Sequence, residues 1–206
     1  MTTIINDIFD DEKGPIMNAT KEMISPDAIA SLERRIEELE KNSKNTPDSN
    51  AMSMVVFSGE LDKLLAAFVI ATGAAACGMK VSMFFTFWAT AALKKAGPQA
   101  KGKSIVERMF GWMLPGGFGK RKLSKMDMCG IGRQMMAREM AKKNVASLPE
   151  LIEVAKELEV EINVCEMSMS LMGIRPEELI DYPDMGYCGV ARFVEQSSSS
   201  NTTLFI

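Results

Sequence analysis

The chain has 206 residues, 47% of them hydrophobic and 25% charged, with a formal net charge of −3 and no histidine. That length suffices for one globular domain plus extra chain, and the missing histidine removes the Ser-His-Asp triad, the Cys-His pair and imidazole metal sites together. A nucleic-acid binder is also excluded, because the densest basic run, Lys120-Arg121-Lys122, is a short loop and not the clustered stripe that phosphate backbones require.

Residues 1–26 are mixed and polar, broken by Gly14-Pro15 and Ser25-Pro26, and read as a poorly ordered arm. In the acidic N-terminus Asp7, Asp10, Asp11 and Glu12 stand where a secretory leader would be basic, so the expected compartment is a reducing cytoplasm. Residues 27–50 hold a helix and then a polar linker. Ile29, Leu32, Ile36 and Leu39 form an a/d seam, with Arg35 at g able to reach Glu40 at e of a neighbouring chain. Two heptads of this kind read as a short coiled coil between copies, although a helix packed on its own domain would show the same stripe.

The folded domain is expected at 51–206. Met52 to Phe57 reads as a buried strand, Ser58-Gly59-Glu60 as its turn, and Leu61 to Ala76 as a helix with only Asp62, Lys63 and Thr72 polar. Lys80 to Phe87 supplies the second strand of a parallel βαβ unit. From Leu64 to Leu93 the one charge is Lys80, but the uninterrupted apolar part stops at Met79, short of the roughly 18 to 20 residues a membrane-spanning helix needs. A soluble core explains the same residues, and membrane association is not expected. Residues 94–125 are rich in Gly, Pro and Lys around the amphipathic piece Ile105 to Leu114, which could cover a site as a flap. Gly119-Lys120 is followed by Arg121 and no strand precedes it, so the phosphate-loop pattern fails.

Met126 to Asn144 then reads as a Met-rich helix, and Ser147-Leu148-Pro149-Glu150 as a capping box opening another. Val160 to Val164 is a strand that delivers Cys165 to a short helix over Met167 to Met172. A last helix from about Tyr187 to Ser197 and a closing strand Thr202 to Ile206 complete the pattern. The element order predicts a three-layer α/β/α sandwich with a mostly parallel sheet of four or five strands, preceded by the N-terminal coiled-coil-like helix.

Chemistry then rests on four cysteines without a C-x-x-C pair. Cys77, among alanines, reads as a small buried hydrophobe. Cys129 opens the Met-rich helix, where a dipole could make its thiol reactive, and Cys188 opens the last helix on the same side of the sheet as Cys165; both are possible secondary thiols. Cys165 has the best position, at a strand end with the N–H groups of Met167 to Met169 ahead of it, although a buried inert cysteine fits the same pattern. The eighteen methionines are core or surface filler in preference to soft-metal ligands, and neither a metal nor a cofactor is expected.

Several segments together resemble a known family: Ser58-Gly59-Glu60-Leu61-Asp62-Lys63, Phe84-Phe85-Thr86-Phe87-Trp88, Cys165-x-Met-Ser-x-x-x-Met-Gly-Ile174 and Gly-Val-Ala-x-Phe193. Over residues 51–206 they resemble the DsrE/DsrF/DsrH-like family, in its larger DsrE-like sulfurtransferase branch. The resemblance implies an oligomeric α/β/α protein whose cysteine carries sulfane sulfur as a persulfide between donor and acceptor proteins, such as rhodanese- and TusA-like carriers. The family's sulfur-accepting position falls on Cys165, whereas Cys129 and Cys188 match no cysteine of the family pattern. On this reading Ser58, Trp88, Met167 and Ser168 form the substrate pocket around Cys165. Two other readings stand beside it: a non-catalytic oligomeric adaptor of a sulfur-relay complex, and a redox sensor pairing Cys165 with Cys188 or Cys129.

Overall fold

A computed structural model describes residues 26–43 and 48–206, in two compact units divided between Thr46 and Pro47. The expected arm falls almost wholly on 1–25 and lies outside the described residues, as do 44–47 of the linker. In the first unit, helix α1 (Pro26–Ser43) carries the seam anticipated from its spacing. Ile29, Leu32, Ile36 and Leu39 are all 45% or more exposed.

The second unit is a five-stranded sheet with every strand parallel, in the spatial order β4-β3-β2-β1-β5. Its strands are β1 (Asp48–Val56), β2 (Lys80–Phe85), β3 (Glu161–Cys165), β4 (Gly186–Cys188) and β5 (Ser200–Phe205). The expected α/β sandwich is therefore present, with the upper of the two strand counts.

The two faces of the sheet differ in chemistry. Met52, Met54, Val56, Met83, Phe85, Ile162 and Val164 are buried beneath helices α2 (Leu61–Ala76) and α6 (Leu148–Glu157). Helix α2 meets them with Leu64, Ala67, Phe68 and Ala71, and the Phe68 and Phe85 rings lie 6.0 Å apart. Each large side chain withdrawn from water here contributes about 1.5–3 kcal/mol, which makes this face the main hydrophobic store of the domain. Ser147 starts α6 as anticipated, its N–H donating to the Glu150 carboxylate at 2.7 Å.

Under helix α8 (Val190–Ser199) the opposite face is hydrogen-bonded. The Asn163 amide donates to Ser82 Oγ at 3.2 Å and to Glu161 Oε1 at 2.8 Å. Gln196 of α8 accepts from Ser82 Oγ and donates to both Glu161 oxygens. Ser53 and Ser200 share a hydrogen bond at 2.8 Å, while Phe84 stacks on Phe193 at 5.5 Å.

Between β2 and α6 run helices α3 (Trp88–Ala92), α4 (Ile105–Met113) and α5 (Ile131–Lys142). Buried charge anchors the segment. Lys103 Nζ lies 2.6 Å from Glu178 Oε2 with both side chains buried, Lys94 Nζ donates to the Leu114 carbonyl, and Arg121 donates to the carbonyls of Ala91 and Pro115. Burial pushes the Arg121 guanidinium down to about 10.

Four expectations need correcting. Cys77 is exposed, because α2 ends at Ala76 and leaves the thiol beyond the packed face. The helix expected from Met126 begins only at Ile131, since Met126, Met128, Cys129 and Gly130 all take positive φ and form a left-handed turn. Cys129 accordingly sits on an exposed turn and not in a helix. Cys188 ends a strand instead of opening a helix. Strand β4 can join β3 because Gly186 leaves room for Asn163, whose Oδ1 would collide with a Cβ at that position.

Candidate functional site

Parallel sheets present ligand sites beyond the carboxyl ends of their strands, and three adjacent ends here carry polar or nucleophilic groups: Thr86 after β2, Cys165 on β3 and Cys188 on β4. Cys165 is the residue from which helix α7 (Glu166–Met172) starts. The run Glu161-Ile162-Asn163-Val164 suits a pleated strand, and the unbranched Met-Ser-Met-Ser-Leu-Met that follows winds readily into a helix. The junction is therefore written into local propensity.

The thiol is 3% exposed. Burial pushes it up, but the polar groups of Ser168, Thr86 and Met167 beside it favour the thiolate, outweigh that effect and hold Cys165 below the ordinary thiol range. These groups are themselves fixed. Ser168 is fully buried, its Oγ lies 3.1 Å from Thr86 Oγ1, and it accepts from the Phe87 N–H at 2.9 Å. Phe87 has φ 46, in the sparsely populated left-handed region, and the Ser168 contact helps to hold that turn in place.

Cys188 is the in-register neighbour of Cys165 on the adjacent strand. Residues paired in register on parallel strands point to the same face, so the two thiols are side by side. Cys188 is partly exposed, and burial pushes its thiol up, with the Arg192 charge opposing and Cys165, Glu166 and Glu161 adding to the rise. One strand pair thus carries one thiol held low and one held high.

The remaining site candidates divide between this cluster and a second location. Met167 contributes its backbone N–H to Cys165 while its side chain is 56% exposed. Ser58 and Trp88 line a cavity of about 790 Å³ with Trp112, Leu114 and Arg121, and Cys165 is not on its wall. The Ser58 hydroxyl is committed to Glu60 Oε2 at 3.0 Å. Cys129 borders a separate cavity of about 1040 Å³ between α5 and α6, lined also by Arg133, Met140 and Asn144. The structure therefore gathers Cys165, Met167, Ser168 and Cys188 into one cluster and places Ser58, Trp88 and Cys129 elsewhere.

Thr86 is the contributor that sequence reasoning passed over, whereas the N–H groups of Met167 and Ser168 were anticipated. A threonine directly after an apolar strand in a βαβ unit was the available signal, since that position faces the crevice. The anticipated flap stands beside this site: α4 packs against α7, with Glu107 directly over Gly173. Its start is a capping box, the Glu107 N–H donating to Ser104 Oγ at 3.2 Å and the Ser104 N–H donating to Glu107 Oε2 at 2.6 Å. Among the described residues no group of three or more His, Cys, Asp or Glu side chains could hold a metal ion, and no helix is long and apolar enough to cross a membrane.

Comparison with known proteins places this geometry in context. Residues 48–205 match the DsrE/DsrF/DrsH-like family. The uncharacterized protein YrkE of Bacillus subtilis is 42% identical over 161 residues, covering 78% of this chain and 99% of that protein. The sulfur carrier protein DsrE2 of Allochromatium vinosum is 32% identical over 171 residues, covering 77% of this chain and 99% of that protein. Among solved structures, the ychN protein from E. coli is similar at a TM-score of 0.45 and 10% identity, over 76% of this chain and 99% of that one.

Proposed function

The chain belongs to the DsrE/DsrF/DrsH-like family, and from that premise we propose that it is a sulfur-relay protein carrying sulfane sulfur as a persulfide on Cys165. The observation that carries the reading is a buried thiol at the junction of a strand end and a helix start, beside Ser168 and Thr86, whose polar groups favour its thiolate. Thiol exchange needs a thiolate of suitable acidity and a leaving thiol, and it needs no histidine. The Cys165 thiolate attacks the outer sulfur of a persulfide or polysulfide. A new S–S bond forms at Cys165 as the donor's S–S bond breaks, and the donor leaves as a thiolate or a shortened polysulfide.

Ser168 and Thr86 stabilise the thiolate before attack, and again when it is the leaving group in delivery. Burial keeps the persulfide away from solvent oxidants. The same proposal includes assembly with further copies and docking of rhodanese- or TusA-like carriers in the cytoplasm. Large apolar side chains left open on α4, Ile105 and Trp112 among them, support such contacts.

Intact-mass analysis after exposure to polysulfide tests the reading. Wild-type protein gains sulfur that cyanide removes, and Cys165→Ser loses most of that gain. Equal uptake by the variant would overturn the proposal.

A further inference from the structure

A thiol that is 3% exposed is well placed to hold sulfur and poorly placed to surrender it to a bulky acceptor. The structure supplies a second nucleophile at the one position that relieves this. Cys188 is the register partner of Cys165, is free, and is partly exposed. We propose that Cys188 is an outlet thiol, taking the sulfane sulfur from Cys165 and presenting it to the external acceptor. The inference rests on the sulfur-carrier reading of Cys165 and adds a step within the chain.

Strand spacing sets the distance that the sulfur has to cross. Neighbouring strands lie about 4.8 Å apart, and in-register parallel side chains keep roughly that separation at Cβ. An unstrained disulfide asks for a Cβ separation of about 3.5–4.5 Å. One intervening sulfur extends the reach by about 2 Å, the length of an S–S bond, so a line from Cys165 Sγ through the sulfane to Cys188 Sγ fits the wider gap.

The step is balanced without an oxidant or reductant. Cys188, having lost its proton to solvent, attacks the terminal sulfur of Cys165–S–SH. The Cys188–S bond forms, the bond from Cys165 Sγ to the sulfane breaks, and its electron pair leaves on Cys165 as thiolate. The sulfane keeps its hydrogen and its oxidation state. Ser168 and Thr86 receive the returning Cys165 thiolate, which makes it the better leaving group of the pair. An external thiolate then repeats the attack on Cys188–S–SH.

Arg192 and Glu166 are the charged groups nearest this outlet, with Glu161 below. Arg192 lies 3.7 Å from Glu161, at the start of α8, so a cation stands beside the thiol that must ionise. Cys77 and Cys129 have no register partner of this kind: one follows the end of α2, the other sits in the turn before α5.

The test loads wild-type, Cys188→Ser, Cys188→Ala and Cys165→Ser proteins with inorganic polysulfide. Persulfides are then alkylated at timed intervals, and cleavage at Glu177 or Glu178 separates the two cysteines for mass analysis. In parallel, loss of sulfane to excess glutathione is timed. The expected wild-type result is sulfane first on Cys165 and later on Cys188. Both Cys188 variants should load Cys165 normally, which also shows that they are folded, and release sulfur to glutathione about tenfold more slowly. Cys165→Ser should load neither position. Release from the Cys188 variants at the wild-type rate, with no sulfane on Cys188 in wild type, overturns the outlet step and leaves the carrier reading intact. Sulfane on Cys188 in the absence of Cys165 overturns the order of transfer. Failure of Cys165 to load in wild type removes the carrier reading itself.

Discussion

The two faces of the sheet solve the problem of burial in opposite ways. Under α2 and α6 the strands present Met54, Val56, Met83, Phe85, Ile162 and Val164, and stability comes from area removed from water. Under α8 they present Ser53, Ser82, Asn163 and Glu161, each held by a named partner. Because side chains alternate along a strand, Cys165 shares the face of Asn163, and Cys188 shares the face of Gly186. Both thiols therefore extend the polar face at its carboxyl end. A sulfur anion placed there meets hydrogen-bond donors, whereas one residue earlier, at Val164, it would meet hydrocarbon.

Three substitutions separate the roles of the faces. Phe85→Ala on the apolar face should cost about 3–5 kcal/mol of unfolding free energy, read by urea denaturation, while the surviving folded protein loads sulfur as before. On the polar face, Asn163→Ala removes donors to Ser82 and Glu161 and should cost about 1–3 kcal/mol. If Asn163→Ala proved as costly as Phe85→Ala, the proposed division of labour would fail. The smallest effect on stability is expected from Thr86→Val, about 1 kcal/mol or less, which deletes one donor to Cys165.

Thr86→Val should instead appear in the pH profile of alkylation at Cys165. Hydrogen bonding to the thiolate favours the charged form, so the native thiol ionises at lower pH than an ordinary cysteine. Removing a donor moves the midpoint of reactivity to higher pH, with the fully ionised rate little changed. An unshifted midpoint would show that Thr86 does not touch the thiolate.

Much of this arrangement was legible in the sequence. The junction at Cys165 could be read from a β-favouring run changing into an unbranched one, and the capping box at Ser147 from its spacing. Strand β4 was not, because three residues give too short an alternation and its pairing depends on Gly186 making room for an Asn163 side chain distant in sequence. The left-handed turn at Met126 to Gly130 was hidden for a related reason. Methionine favours helices, and nothing local announces that the Asp127 carbonyl will accept from the Gly130 N–H at 2.7 Å while its carboxylate accepts from the Leu123 N–H. The polar start of β1 read as linker, although Asp48 pairs with Ser200 and meets Lys80 at 3.5 Å.

The most direct test of the account sets chemistry against exposure. Cys77 is exposed and Cys165 is buried, so loading governed by access alone would favour Cys77. Wild-type protein treated briefly with a limiting amount of polysulfide, alkylated and mapped by mass spectrometry, reports which thiol takes sulfur first. Sulfane is expected on Cys165 ahead of Cys77. Sulfane on Cys77 with Cys165 empty would contradict it.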